Sequence, residues 1–147
     1  MAFGNPYAAY QKTAVNTASQ GKLVVMLYQG AAKEMQAAYD SFGSGDKLPA
    51  SAIESFGKHL MKSQEIINEL QVSLDMDKGG QIAQNLMSLY VYFNKELMDV
   101  SIKQDKGKLR QILDMIKELC SAWESAAQNT SVDSIPQAQR TLNITAG

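Results

Sequence analysis

Apolar side chains recur every three to four positions through four long stretches of this chain, and nowhere do they alternate singly with polar ones. Such spacing draws a stripe along an α-helix and cannot line one face of a strand, whose period is two. β-Branched residues are scattered rather than clustered, so the second signature of strands is missing as well. Turn formers separate the stretches. The first helix is expected to start after Thr17-Ala18-Ser19 and to run to Phe42, where Gly43-Ser44-Gly45-Asp46-Lys47-Leu48-Pro49 forces a loop. Ser51 is expected to cap a second helix ending near Leu74, a third runs from Gly80-Gln81 to Ile102, and Asp105 caps a fourth that reaches Gln128. Connections this short make neighbouring helices antiparallel, so the expected fold is all-α, an up-down four-helix bundle over residues 19–128. Residues 1–18 form an N-terminal arm with Tyr7, Tyr10 and Val15 as apolar anchors. Residues 129–147 are polar with isolated aliphatics and are expected to be a disordered tail.

Composition narrows the partners. The 147 residues are enough for one domain with its own core, and 45% hydrophobic with 20% charged residues is a globular balance. A net charge of -1, with arginine only at Arg110 and Arg140, gives no basis for binding nucleic acid. No apolar run approaches a membrane span, which needs roughly 18 residues, and the N-terminal residues lack the pattern of a signal peptide. A cytoplasmic protein without membrane insertion is expected. Cys120, the single cysteine, has no partner in the chain for a disulfide.

Placed at about 100° per residue, the helices fall into two kinds. The fourth carries one stripe, Leu109, Ile112, Leu113, Ile116, Leu119, Cys120, Trp123 and Ala127. The second likewise carries Ile53, Phe56, Leu60, Ile67, Leu70 and Leu74. The third has a core stripe of Ile82, Leu86, Leu89, Tyr90, Phe93, Leu97 and Val100. It has a second stripe too, Met87, Val91, Met98 and Ile102, roughly 140° away. In the first helix Leu23, Leu27 and Ala38 can face the core, while Val24, Val25, Tyr28, Met35, Tyr39 and Phe42 spread far round. Two explanations stand side by side. The first helix is the central one, with the arm folded over it, or the surplus forms a groove for an amphipathic helix of a partner. The groove would be lined by Val24, Tyr28, Met35, Met87, Val91, Met98 and Ile102, with Tyr7, Tyr10 and Val15 of the arm covering it until a partner arrives. Methionine suits such a surface because its flexible thioether adapts to varied ligands.

No catalytic constellation emerges, and no cofactor or metal is expected. His59 is the only histidine, and a di-metal carboxylate bundle would need Glu-x-x-His pairs on two helices, which do not occur. Glu34, within the apolar arc of the first helix, is expected to reach the rim or pair with Lys58 or Lys62. Gly79-Gly80 lacks the phosphate-loop lysine pattern and reads as a turn that opens the third helix.

Two strings then narrow the function. Residues 10–30, from Tyr10-Gln-Lys-Thr-Ala-Val15 through Thr17-Ala18-Ser19-Gln-Gly21-Lys-Leu23 to Tyr28-Gln-Gly30, resemble the N-terminal signature of the flagellin export chaperones, the FliS family. Residues 79–92, Gly79-Gly80-Gln-Ile82-Ala83-Gln-Asn85-Leu86-Met-Ser-Leu89-Tyr90-Val-Tyr92, resemble that family's third helix, and Ala122-Trp123 matches the end of its fourth. The resemblance implies an antiparallel bundle in the cytosol that binds the disordered C-terminal segment of flagellin, prevents its premature polymerisation and delivers it to export gate components, with other flagellar proteins as further partners. The competing hypotheses are a bundle whose surplus stripe makes a homodimer or adaptor, and a small helical enzyme or ligand-binding bundle with a polar pocket around Glu34.

Overall fold

The computed structural model describes residues 20–129. They form α1 (Gln20–Asp40), a single 3-10 turn (Ala50–Ala52), α2 (Ile53–Ser73), α3 (Gly80–Lys103) and α4 (Lys106–Asn129), with no strand among them. The arm and the tail expected on either side lie outside the described residues.

Each helix ends where the chain supplies a reason. After α1 the backbone turns through Gly43 in the left-handed region, at φ 65°. Between α2 and α3 the Asp75 carboxylate accepts hydrogen bonds from the backbone N–H of Asp77 (3.1 Å) and Lys78 (2.9 Å), which builds the turn. Asp105 caps α4 as expected, accepting the Lys108 N–H at 3.0 Å. Ser51 does not cap α2. It lies inside the 3-10 turn, and Ala52 at the α2 N-cap makes no side-chain bond, because the chain enters the helix through a tightened first turn. Only two residues, Gln104 and Asp105, separate α3 from α4, so those helices must run antiparallel. Gln104 makes that reversal with φ 54°, its N–H bonding to the Val100 carbonyl at 2.7 Å.

The core joins all four helices, and α1 is its centre. This helix packs along both α2 and α4, more closely than α3 packs on either, and α3 lies diagonally across from it. The wide apolar arc of α1 is thereby absorbed. Leu23, Val24, Leu27, Tyr28, Ala31, Met35, Ala38 and Phe42 are all buried, with Val25, Ala32 and Tyr39 partly so. Small side chains at Ala31 and Ala38 let the neighbouring helices approach. On α3 the inner stripe of Leu86, Tyr90, Phe93, Leu97 and Val100 is buried, and on α4 Leu109, Ile112, Leu113, Ile116, Cys120 and Trp123 are. The α2 stripe holds except at its first turn, where Ile53 is 46% exposed because that turn overhangs the end of the bundle.

One end of the bundle, where the α1–α2 and α3–α4 connections meet, is closed by ring contacts and lysine side chains. Phe42 meets Phe56 edge to face, with ring centroids 5.4 Å apart. The Lys106 ammonium lies 5.2 Å from the Tyr39 ring centroid and donates to the Gly45 carbonyl at 2.7 Å, joining the start of α4 to the loop after α1. Lys108 spans to α3, its Nζ 2.7 Å from Asp99 and 3.1 Å from Glu96. The hydrogen bond from Lys108 holds the Asp99 carboxyl below the usual carboxylate range, but these groups are solvated and add little stability.

Truncating the core and truncating the α3 surface should therefore differ sharply in chemical denaturation. Leu97→Ala is expected to cost about 2–5 kcal/mol, and Ile102→Ala no more than about 0.5 kcal/mol. Gln104→Gly should stabilise the fold by roughly 0.5–1 kcal/mol, because glycine adopts the left-handed conformation without a Cβ clash. A loss on Gln104→Gly would show that the Gln104 side chain contributes more than its backbone strain costs.

Candidate functional site

Once the core is filled, α3 still presents a second apolar row. Val91 is 53% exposed, Met98 52% and Ile102 72%, while Met87 at the head of the row is partly covered. These residues sit on the side of α3 that adjoins α2. Gln71 of α2 donates to the Met87 sulfur at 3.4 Å, Gln64 donates to the Asn94 carbonyl at 3.2 Å, and the Asn94 side-chain amide donates to Asn68 at 2.8 Å. Polar side chains thus stitch the α2–α3 seam at its surface, and the exposed aliphatic row runs beside it.

Sequence reasoning missed the α2 contribution. Met61 is 58% exposed and Val72 71%, and by helical geometry both project from the side of α2 that holds Asn68. On a helical wheel they stand alone among polar residues, so periodicity hides them. Their one signal is a spacing of eleven residues, which returns to nearly the same angle after three turns.

The α1 residues expected to line a groove are placed elsewhere. Val24, Tyr28 and Met35 are buried inside the bundle and offer no free surface, because α2 and α4 close over both flanks of α1. Met87, Val91, Met98 and Ile102 fall together on one helix face. Tyr7, Tyr10 and Val15 lie outside the described residues.

Tyr28 has a structural partner instead of an open one. Its hydroxyl meets that of Tyr90 at 2.5 Å across the diagonal of the bundle, and its ring stacks on Trp123 at 6.4 Å. Burial pushes both tyrosine hydroxyls well above the usual range, so they remain neutral and hydrogen-bonded. Cys120, buried on α4, is pushed up to about 11 by burial, with the nearby Glu124 carboxylate adding to the effect. It lines a shallow trough between α1 and α4 along with Gln29, Lys33, Gln36, Lys117 and Glu124. Polar contacts cross that trough, Gln29 to Glu124 at 2.8 Å and Lys117 to Gln36 at 3.2 Å.

Glu34 pairs with neither Lys58 nor Lys62. Its carboxylate lies 2.8 Å from His59 Nδ1, because the crossing of α1 and α2 brings the histidine nearest, while Lys58 turns to Glu54 one helical turn away. The most acidic part of the first helix's apolar arc is thus tied up in a contact between α1 and α2. Among the described residues, no group of three or more His, Cys, Asp or Glu is placed to hold a metal ion, and no helix is long and apolar enough to cross a membrane.

An antiparallel four-helix bundle with an aliphatic row left open beside one seam has the form of a helical protein-binding module. The comparisons make that class specific. The family model described as flagellar protein FliS matches residues 3–130, and the chain belongs to this family. A relative from Bacillus subtilis (strain 168), named flagellar secretion chaperone FliS, is 32% identical over 90% of this chain and 94% of its own length. Relatives with the same name from Salmonella typhimurium and Vibrio cholerae are 30% and 32% identical over 82% and 79% of this chain, and over 85% and 84% of their own.

Alkaline pH should weaken the fold through the buried hydroxyls and thiol. Groups whose ionisation is raised by folding contribute stability that is complete below their unfolded values and lost as pH climbs through the folded ones. Unfolding free energy is therefore expected to fall from about pH 9 upward, by on the order of 2 kcal/mol from Cys120 alone by pH 11. Denaturant titrations of Cys120→Ala across this range should show a shallower decline than the parent. An identical slope would mean that the thiol ionises as freely in the folded chain as in the unfolded one.

Proposed function

We propose that this chain is a flagellar secretion chaperone of the cytosol that holds the C-terminal segment of flagellin against the α3 face and passes it to the flagellar export gate. One observation bears most of the weight. Val91, Met98 and Ile102 are each more than half exposed in one row, on a helix whose opposite face already fills the core. A bundle gains nothing in stability from such a row, and unoccupied it is an aggregation hazard. Family membership and the names of the relatives supply the kind of cargo.

The chemistry is that of coupled folding and binding. A flagellin segment that packs inside a filament is apolar along one side, and free in the cytosol that side would drive self-association. Laid on α3, with Met61 and Val72 of α2 widening the surface, the segment folds as its apolar side is removed from water. An interface of about 2,000 Å² is needed, because ordering a disordered chain offsets several kcal/mol of the gross interaction. Gln64, Asn68 and Gln71 along the seam supply side-chain groups that can bond to cargo backbone. In this reading Tyr7, Tyr10 and Val15 add contacts from the segment ahead of α1, whereas Val24, Tyr28 and Met35 support the face from within the bundle.

Calorimetric titration with a flagellin C-terminal peptide tests the assignment. The parent protein should bind, and Val91→Glu combined with Ile102→Glu should weaken binding at least ~10-fold, since each places a charge in a desolvated contact. Met26→Glu, on the outer side of α1, serves as the control and should change affinity by less than a factor of ~3. Absence of binding by the parent, or equal loss on Met26→Glu, would sink the proposal.

A further inference from the structure

Sulfur is unevenly distributed over the surface of this bundle. Of the seven methionines among the described residues, Met35 is buried in the core and Met87 and Met115 are partly covered, while Met26, Met61, Met76 and Met98 are exposed. Only Met61 and Met98 among them are open by more than half, and both border the α2–α3 seam. The side-chain bonds across that seam set their relative height. Gln64 reaches the Asn94 backbone and Gln71 reaches the Met87 sulfur, so seven residues forward on α2 match seven back on α3. Carried three residues back along α2, this antiparallel register puts Met61 level with position 97, beside Met98. Two open thioethers thus stand at one height, one from each helix of the face proposed for cargo.

We propose that Met61 and Met98 form a reversible oxidation site, at which conversion of the thioethers to sulfoxides closes the face to cargo and reduction reopens it. The proposal rests on the cargo assignment above. The oxidant is a hydroperoxide. The sulfur lone pair attacks the terminal peroxide oxygen, the O–O bond breaks, and methionine keeps that oxygen while water or an alcohol leaves. Sulfur loses two electrons and the peroxide takes them up. No thiolate of the described chain competes for the oxidant. Cys120, the single cysteine, is buried, and its thiol is pushed up to about 11, so at neutral pH it stays protonated and shielded. A thioether needs no ionisation to react, so two-electron oxidation falls on the exposed methionines.

The position of the two sulfurs sets the consequence. A thioether is apolar and adapts to the shape laid on it, whereas a sulfoxide is polar and chiral. Covered by cargo without a donor, each sulfoxide oxygen loses its water and gains nothing in return. The fold is spared. Met35 is closed off by its neighbours, and Met87 is partly covered, its sulfur already accepting from Gln71. Val91 and Ile102 carry no sulfur, so oxidation interrupts the exposed apolar surface and leaves the core intact. The reverse step is that of the methionine sulfoxide reductases: two thiols are oxidised to a disulfide, the oxygen leaves as water, and the thioether is restored.

The test treats the full-length protein with hydrogen peroxide, removes the excess with catalase, and reads the sulfoxide at each methionine by peptide mapping. Met61 and Met98 should oxidise several-fold faster than Met35 and Met87, with the helical circular dichroism unchanged. Titration with unoxidised flagellin C-terminal peptide should then show binding at least ~10-fold weaker than before treatment. Incubation with the two sulfoxide reductases, one for each sulfur epimer, and a dithiol should restore it. Met61→Leu combined with Met98→Leu keeps the face apolar and of similar volume, so it should bind within ~3-fold of the parent. That variant should also keep its affinity after peroxide, although Met26 and Met76 are still there to oxidise. Slow oxidation of Met61 and Met98, or an equal loss of affinity in the double leucine variant, overturns the site. The two proposals fail differently. A peptide that never binds the untreated parent overturns the cargo assignment and the switch with it. A peptide that binds equally before and after oxidation overturns the switch alone.

Discussion

The burial of α1 between α2 and α4 is the constraint from which the rest of the bundle follows. Its apolar arc is too wide for one neighbour, and two neighbours close over it on either side. Alanines at positions 31, 32 and 38 let those helices come close, while Tyr28 reaches across to Tyr90 on the diagonal helix. That hydroxyl pair is a polar contact at the centre of an apolar core, and its energetics are one-sided. Made, it contributes modestly; with one partner removed, a buried hydroxyl is left unsatisfied at a cost of about 1–3 kcal/mol. It therefore selects one arrangement of α1 against α3 more than it adds stability.

α3 adjoins α2 and α4 as α1 does, but it packs on them less extensively. Its inner stripe seals the core, and its outer row has nothing to pack on within the monomer. The seam with α2 is finished by amides, not aliphatics: Gln64, Asn68, Gln71 and Asn94 bond across it. Amide pairs at a surface seam can exchange partners for a cargo backbone or for water at small net cost, which a tightly packed aliphatic seam could not do. The inner face of α3 thus serves the stability of the bundle, and its outer row does not.

In the function proposed above, a cargo segment must be shielded from its own kind and then released, so the face should be apolar enough to compete with self-association and modest enough to let go. The apolar row of α3 beside its polar seam with α2 suits both demands.

Much of the fold was legible in the residues. Period, turn formers and the Asp105 cap place four helices to within a residue or two, and the strings around Tyr10–Gly30 and Gly79–Tyr92 point to the family. The exposed part of the α3 row was legible as well, because a second stripe far round one helix cannot enter the same core. Other features were not. Val24, Tyr28 and Met35 look like spare surface on a wheel, and only the position of α1 between two helices shows that they are core. Met61 and Val72 look like isolated exceptions until α2 is seen beside α3, and Glu34 looks destined for a lysine until the crossing of α1 and α2 sets it against His59. A wheel records the direction in which each side chain leaves its own helix. Which directions are filled depends on how closely the neighbouring helices pack on it, and that is a property of the assembled bundle alone.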